Sequence, residues 1–268
     1  MERTTSTRAH AGILPAVALV AATLAFALAC GPFAGSAQTA SSGTASEVTL
    51  KYSQTYYVCS GCDYETTVFR DNYGDFDGGM LEHEYKTKHK YTTDVREVTT
   101  QAKAQPVYRM YNSITSEHLY TVDKTEYQNL LAEHWTQEGE AWLSPDSGEK
   151  GVYRLYNPGL GALCKMSHHY TSDKSEADDL VKNHGWVYDN GGEPIFYSAE
   201  YNGGNSFYGS AGASHLMRLY NPGLSAHLWT LDDDEAGDLN ENWGWGIETF
   251  VNGCGFWVYD PERVVNEE

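Results

Sequence analysis

The most constraining feature of this sequence is a strand-and-turn segment that occurs three times. "VYRLYNPGL" begins at Val152, "MRLYNPGL" at Met217, and a looser copy, "VYRMYNSIT", at Val107. The same polar and aromatic residues follow each copy at similar intervals, so one supersecondary unit is repeated three times. The recurring positions are His118, His168 and His227; Asp123, Asp173 and Asp232; Glu126, Glu176 and Glu235; Leu130, Leu180 and Leu239; and Trp135, Trp186 and Trp245.

Each unit is predicted to run strand, strand, short helix, strand, strand. The spacing of Asp123 and Glu126 is typical of a helix start, with Asp as the N-cap and Glu as its partner three residues later. One unit cannot bury its own aromatic face, so the three units are expected to close around a common core. We therefore predict a mainly β fold with short helices (α+β), forming a closed pseudo-threefold domain over 106–260 that is β-trefoil-like in strand count. Its repeats are expected at 106–150, 151–214 and 215–260, followed by a tail at 261–268.

Two longer stretches of the repeats resemble a known family. They are "PVYRMYN…EHLYTVDKTEYQNLLAEHW…EGEAWL" in the first repeat and "YRLYNPG…SHHYTSDKSEADDLVKNHGWVYD" in the second. These segments are similar to DUF5648, a domain of unknown function, over roughly residues 106–260. The resemblance implies a secreted or surface protein of a Gram-positive bacterium, in a family often found beside cell-wall hydrolases. It implies no known reaction.

The first residues are typical of an export signal rather than of a folded domain. A positively charged start precedes a nearly unbroken apolar run over 13–29, which is short for a membrane span. Cleavage before Cys30 would make a lipoprotein with a lipidated thiol, whereas ordinary cleavage after Ala37 would define a signal peptide over 1–37. A Gly/Ser/Thr/Ala tether follows and forms a linker over 38–47. Either cleavage places the mature protein in the extracellular space or at the cell surface, with membrane contact only through the signal or a lipid anchor.

A small β-rich module is predicted at 48–104, where four residues are candidate metal ligands. Two thiolates in a C-x2-C pair and two later imidazoles would complete a tetrahedral zinc shell, and the stretch 57–89 resembles a Cys2His2 zinc finger. A zinc ion with four protein ligands would be structural. The alternative is a disulfide or free thiols in an oxidising compartment, with both histidines exposed. The candidate ligands are Cys59, Cys62, His83 and His89.

The polar and aromatic residues that recur in every repeat are candidate ligand contacts. The arginines are expected either to pair with acidic neighbours inside the fold or to clamp a ligand carboxylate. The histidines could bond a turn in their own repeat, contact a ligand, or share a metal at a common axis. The candidate ligand-binding residues are Arg109, Arg154 and Arg218; His118, His168 and His227; and Trp135, Trp186 and Trp245.

Two further cysteines have no counterpart in the first repeat. Cys164 and Cys254 are a plausible pair in an exported protein, where a disulfide would close a loop of about ninety residues.

Charge and composition restrict the class of partner. The chain carries a formal charge of −19, and residues 106–268 contain 9 basic against 26 acidic residues, so we expect no nucleic-acid partner. Twenty Tyr and seven Trp suit both β-strands and sugar-stacking surfaces.

The sequence contains no G-x-S-x-G, HExxH or phosphate-loop motif. We therefore predict a non-catalytic binding or adhesion module for cell-wall or host glycans. The alternatives are a surface-protein partner, a lipoprotein of structural role, or a cell-wall glycoside hydrolase whose two carboxylates are hidden among the many acids.

Overall fold

The described part of the chain is mainly β with a few short helices, as predicted. The computed structural model describes residues 44–67, 69–71, 74–76, 80–148, 150–161, 163, 167–199, 211–248 and 256–265. The strands are β1 Ser46–Cys59, β2 Glu65–Thr67, β3 Phe69–Asp71, β4 Gly74–Phe76, β5 Tyr91–Asn112, β6 Glu117–Thr121, β7 Trp135–Pro145, β8 Gly151–Tyr156, β9 His168–Thr171, β10 Val187–Tyr188, β11 Phe196–Tyr197, β12 Ala213–His215, β13 Met217–Asn221, β14 Ala226–Thr230, β15 Gly246–Ile247, β16 Trp257–Tyr259 and β17 Val264–Val265. The helices are α1 Met80–Thr87, α2 Lys124–Asn129, α3 Pro158–Gly161, α4 Lys174–Asn183 and α5 Asp233–Asn242, with 3-10 turns at Leu130–Glu133 and Pro261–Arg263.

A long two-stranded ribbon joins the N-terminal segment to the repeats. Strands β1 and β5, rich in β-branched and aromatic residues, pair antiparallel from Ser46↔Ala104 to Cys59↔Tyr91. Strand β5 then continues without a break into the first repeat, where it pairs with β6 and β7. The boundary predicted between 104 and 106 therefore falls inside one strand. Near the C-terminus, β17 pairs with β1, so part of the expected tail belongs to the same sheet.

The first two strands of each repeat form a hairpin with the same register. Arg109 lies opposite Tyr120, and the equivalent Arg218 lies opposite Trp229. The second repeat pairs Arg154 with Tyr170 in the same way. In each turn an Asn side chain accepts hydrogen bonds from the amides two and three residues later, which is the turn role expected of Asn. These residues are Asn112, Asn157 and Asn221.

The three longer helices of the repeats begin at the predicted N-cap aspartates. Each Asp carboxylate accepts hydrogen bonds from the amides two and three residues later, at Asp123, Asp173 and Asp232. The expected return bond from Glu does not complete this cap. The amide of Asp123 instead donates to Thr121 Oγ1 at 3.0 Å, and the same bond occurs at the other two caps. The repeated glutamates are therefore left for other partners.

All three repeats contribute to one aromatic core. Nine of its twelve buried members come from equivalent positions: Val107, Val152 and Leu216; Tyr120, Tyr170 and Trp229; and Trp142, Phe196 and Phe256. This shared core agrees with the expectation that a single unit cannot bury its own aromatic face. The described strands form sheets of eight, four, three and two strands, an organisation that does not establish a β-trefoil. Among the described helices, none is both long and apolar enough to cross a bilayer.

Candidate metal centre and the ion pairs between repeats

The four predicted metal ligands lie together at the outer end of the β1–β5 ribbon. The Sγ atoms of Cys59 and Cys62 are 3.4 Å apart. His83 Nε2 lies 3.4 Å from each sulfur, and His89 Nδ1 lies 3.4 Å from Cys59 Sγ. All four ligand atoms are within 4.8 Å of one another, so the group could bind a metal ion.

Four separate segments bring these ligands together. Cys59 ends β1 and Cys62 lies in the turn before β2, whereas His83 belongs to α1 and His89 precedes β5. Thr87 links the two histidines, because its Oγ1 donates to the His83 carbonyl and accepts from the His89 amide. The His83 ring also stacks on Tyr64, with ring centroids 4.2 Å apart. Local contacts therefore orient both imidazoles.

Gly61 is required by the packing of His89. A Cβ atom at Gly61 would lie 2.6–2.8 Å from three atoms of the His89 ring, closer than real contacts allow. The Gly61 amide also donates to Cys59 Sγ at 3.3 Å. Burial raises the pKa of the Cys59 thiol, but the hydrogen bonds from Gly61 and Cys62 outweigh it and lower that pKa. Gly61 therefore both admits the imidazole and favours the thiolate form of Cys59.

The spacing of the ligand atoms fits a tetrahedral ion and does not fit a disulfide. Zinc bonds of about 2.3 Å to sulfur and 2.0 Å to nitrogen separate tetrahedral ligands by about 3.5–3.8 Å, close to the observed 3.4 Å. A disulfide would require sulfurs about 2.05 Å apart. Both Cys59 and Cys62 are free thiols in the structure. The donor set, two sulfurs and two imidazole nitrogens, is one that zinc prefers.

Two of the three recurring arginines, Arg109 and Arg154, form ion pairs that join different repeats. Arg154 is buried and donates to both carboxylate oxygens of Glu126 in the first repeat, at 2.7 and 3.1 Å. Its Nε lies 2.5 Å from Asp189 in its own repeat. Arg109 makes the corresponding contacts with Glu235 of the third repeat and with Glu138 of its own. Both arginines therefore pair with acidic residues inside the fold, which is one of the two roles expected from the sequence.

The third arginine has a different set of contacts. Arg218 lies 3.0 Å from Glu248 and donates to His227 Nε2 at 2.9 Å. The equivalent glutamate, Glu176, contacts His169 Nε2 at 3.3 Å. Its pKa is lowered to about 2, first by the hydrogen bond from His169 and also by the charge of Arg218. His169 occupies the position of a buried Leu in the other repeats, and its ring centroid lies 5.2 Å from that of His227 in the third repeat.

Tyrosine hydroxyls form a second kind of link between repeats. Tyr170 Oη accepts from the Tyr120 amide at 2.8 Å and donates to its carbonyl at 3.0 Å. Tyr120 Oη makes the same two bonds with the backbone of Trp229, at 3.0 and 2.8 Å. The third repeat has Trp229 at this position and therefore has no hydroxyl to continue the pattern.

The three predicted histidines lie beside acidic residues in their own repeats. His118, His168 and His227 lie 3.6, 3.7 and 3.4 Å from the carboxylates of Glu138, Asp189 and Glu248. Among the described residues, the group of four at the end of the ribbon is the one cluster suited to a metal, and it includes none of these histidines. A shared axial metal site is therefore not supported by the described part of the chain.

The equivalent histidines differ in pKa because their surroundings differ. Burial and the charge of Arg109 lower the pKa of His118 to about 3. Burial also lowers that of His168, but Glu117 of the first repeat lies 2.9 Å from its Nδ1 and raises the pKa overall.

The predicted tryptophans differ in exposure. Trp135 and Trp245 are 6% and 7% exposed and pack in hydrophobic clusters of the first and third repeats. Trp186 is half-buried, with its ring edge against His169. The exposed tryptophan is Trp243, at 48%. Trp135 and Trp245 thus pack within the domain. The solvent-facing indole belongs to Trp243, which is not one of the recurring tryptophans.

One acidic position in the repeat was missed by the sequence reasoning. Each repeated Trp is followed three residues later by an acid, and this acid pairs with the Arg and His of the same repeat. Its recurrence at a fixed interval was a signal that could have identified it. The residues are Glu138, Asp189 and Glu248.

Several predicted sites lie outside the described residues. The signal segment with its two cleavage positions belongs to this part of the chain, as do the lipidation candidate and the predicted disulfide pair. These residues are Cys30, Cys164 and Cys254.

Comparison with known proteins agrees with the resemblance of the repeats. Residues 79–193 and 195–259 match the family described as domain of unknown function (DUF5648). This match includes His83 and His89 but begins after Cys59 and Cys62. No curated protein and no solved structure matches the chain. Because the match covers most of the chain, the protein belongs to the DUF5648 family.

Proposed function

We propose that Cys59, Cys62, His83 and His89 bind one zinc ion and that this ion is structural. The observation that carries the proposal is the convergence of four ligand atoms within 4.8 Å. Two sulfurs and two nitrogens complete a tetrahedron, which leaves no coordination position for a substrate or a reactive water. The metal would therefore stabilise the fold rather than catalyse a reaction.

The proposed ion would connect segments that have little hydrophobic support. Tyr85 in α1 is 76% exposed, and Lys86 and Lys90 pair with glutamates at the surface. A segment of this size with a small core usually needs a covalent or metal crosslink. The zinc ion would tie α1 and the C-x2-C turn to the end of the ribbon.

Zinc affinity of ligand variants tests this proposal. Competition with a chromophoric chelator should show tight, one-to-one binding by the wild type and strongly weakened binding by Cys62→Ser and His83→Ala. His184→Ala is the matched control, because His184 is exposed and lies outside the cluster. Equal affinity in all four proteins would reject the assignment.

We also propose that the three repeats close into a pseudo-threefold domain. Contacts between repeats support it, because Arg154 of repeat two reaches Glu126 of repeat one, and Arg109 of repeat one reaches Glu235 of repeat three. The charge of Arg218 in repeat three helps to lower the pKa of Glu176 in repeat two. An experimental structure with three non-equivalent repeat interfaces of unrelated geometry would contradict the proposal.

For the whole protein we propose a non-catalytic binding or adhesion role outside the cytoplasm, with cell-wall or host glycans as ligands. Trp243 supports this role, because its indole is 48% exposed while Nε1 is held by Asp238 at 3.0 Å. A fixed, open aromatic face suits stacking on a sugar ring. Glycan arrays and cell-wall pulldown should detect binding that Trp243→Ala weakens and that Leu131→Ala, also at an exposed apolar residue, preserves.

The same assays separate the alternatives. Absence of binding to every sugar polymer would remove the glycan ligand and leave adhesion to a surface protein or a structural lipoprotein role. Release of reducing sugar from cell wall would instead establish a glycoside hydrolase. Fatty-acid labelling that disappears in Cys30→Ser would establish the lipid anchor, whereas unlabelled protein beginning near Gln38 would establish ordinary cleavage.

A further inference from the structure

The ribbon has one long edge with no strand beside it among the described residues. Strand β5 pairs with β1 along Tyr91–Ala104, and its pairing with β7 begins only at Ala104↔Pro145. Within the described part of the chain, no strand pairs with the other side of Tyr91–Lys103. Such an edge presents unpaired backbone donors and acceptors that can pair with a second chain.

The direction of one hydrogen bond shows which backbone groups face this edge. The Ser60 amide donates to the Lys90 carbonyl at 2.8 Å, so Lys90 points toward β1. Backbone groups of successive residues in an antiparallel strand point to alternate sides. The odd-numbered residues of Tyr91–Lys103 therefore present their N–H and C=O groups at the open edge.

The side chains along this edge are self-complementary in one antiparallel register. When two copies are centred on Val95, the two Val95 residues lie opposite each other. Asp94 of each copy lies opposite Arg96 of the other, which adds to the pairs that Arg96 makes with Asp94 and Glu65 of its own chain. Registers centred on Asp94, Arg96 or Glu97 place like charges directly opposite, which is destabilising. Val95 is an odd-numbered residue and its side chain is 62% exposed, so this register also aligns the free backbone groups.

The charge of the ribbon permits such a contact. Residues 46–59 and 91–104 together contain three basic and three acidic residues, whereas residues 106–268 contain 9 basic and 26 acidic residues. Repulsion between copies is therefore concentrated in the repeats and is small along the ribbon.

We propose that this edge is a homodimer interface, in which two copies pair antiparallel through the outer edge of β5 about a twofold axis at Val95. The contact is isologous, because the same residues meet from both sides. It joins the β1–β5 ribbons of two copies into one continuous sheet and pairs the backbone groups that are open along the outer edge of β5.

Cysteine crosslinking of the zinc-loaded full chain tests both the dimer and its register. Facing residues of a hydrogen-bonded antiparallel pair have Cα atoms about 5.5 Å apart, a distance that suits a disulfide. Val95→Cys should give a reducible covalent dimer under mild oxidation. Thr99→Cys, which lies opposite Tyr91 of the other copy, should remain uncrosslinked in the same background of native cysteines. Equal crosslinking of the two variants, or none in Val95→Cys, would overturn the proposal.

Sedimentation velocity over a wide range of concentrations supplies an independent measurement. Wild-type protein should dimerise as its concentration rises, and Val95→Pro should stay monomeric because proline removes an outward donor. Ser53→Pro is the matched control, because Ser53 is exposed and its amide faces the opposite edge of the ribbon, between the residues paired with β17 and β2. Wild-type protein that remains monomeric, or an equal loss of dimer in both proline variants, would contradict the assignment.

Discussion

Replacing Arg154 by methionine removes a buried cation shared by carboxylates of two repeats. Arg154 is 5% exposed and lies between Glu126, at 2.7 Å, and Asp189, at 2.5 Å. Methionine fills much of the same volume, so the change mainly removes the positive charge and its hydrogen bonds. The Asp189 carboxylate, whose side chain is 6% exposed, and the partly buried Glu126 carboxylate both lose this partner.

The magnitude follows from the burial of the pair. Removing one partner of a buried ion pair costs about 3–5 kcal/mol, because the remaining charge is left uncompensated. The free energy of unfolding should fall by this amount, which corresponds to a decrease in Tm of roughly 6–20 °C for a domain of this size.

The loss should also depend on pH. Burial raises the pKa of Glu126, but Arg154 outweighs it and holds the folded-state pKa below the ordinary value of 4.5. The stabilisation is therefore fully present above pH 4.5 and is lost as pH falls through the lowered folded pKa. The difference between wild type and Arg154→Met should shrink in acid for this reason.

Urea unfolding followed by tryptophan fluorescence, at a protein concentration low enough to keep the chain monomeric, measures the change. Arg96→Met is the matched control, because Arg96 also pairs with two acids, Glu65 and Asp94, but is 40% exposed. Its effect should be much smaller, since water screens an exposed pair. A loss in Arg154→Met below about 1 kcal/mol, or one equal to that of Arg96→Met, would refute a stabilising role for the buried pair.

Three further predictions concern the links between repeats, the ligand cluster and the partly buried His227. Tyr120→Phe leaves a buried amide and carbonyl of Trp229 without their partner, so urea unfolding should show a loss of about 1–3 kcal/mol, and an unchanged midpoint would contradict the link. Gly61→Ala displaces the His89 ring and should weaken zinc binding by about tenfold or more in chelator competition, whereas unchanged affinity would show that the close approach is unimportant. Burial, followed by Arg218, lowers the pKa of His227 to about 3, so its stabilisation is full above the ordinary pKa of 6.5 and is lost as pH falls toward 3. The urea midpoint should therefore fall between neutral pH and about pH 4, less steeply in His227→Gln, and equal slopes would contradict this.

Features with a local physical cause were predictable from the sequence. The recurring Asp at each helix start and the Asn in each turn act on amides two or three residues away, so their spacing alone identifies their role. The C-x2-C pair and the two later histidines were also predictable, because zinc requires a small and recognisable set of ligands. The shared core followed from the number of aromatic residues in each repeat.

Contacts between distant segments were not predictable in the same way. The spacing of Glu126 suits a helix cap, but a buried arginine from another repeat provides a stronger partner for its charge. Thr121 Oγ1 accepts the hydrogen bond from the Asp123 amide instead. The boundary near 105 was placed where the first repeated segment begins, and the repeat pattern cannot reveal that β5 continues across it. The exposure of each tryptophan was not predictable from the sequence either. Trp245 lies under the helix of its repeat, whereas Trp243, two residues earlier, faces solvent.

The metal content of the purified protein tests the central claim most directly. Full-length protein isolated without added metal should contain about one zinc per chain by elemental analysis, with both thiols of Cys59 and Cys62 reduced. EDTA should remove the ion and unfold the metal-binding end of the ribbon, and zinc should restore it. The repeat core, which has no ligand in the cluster, should keep its near-UV signal throughout. Metal-free protein with Cys59 and Cys62 joined in a disulfide would contradict the account.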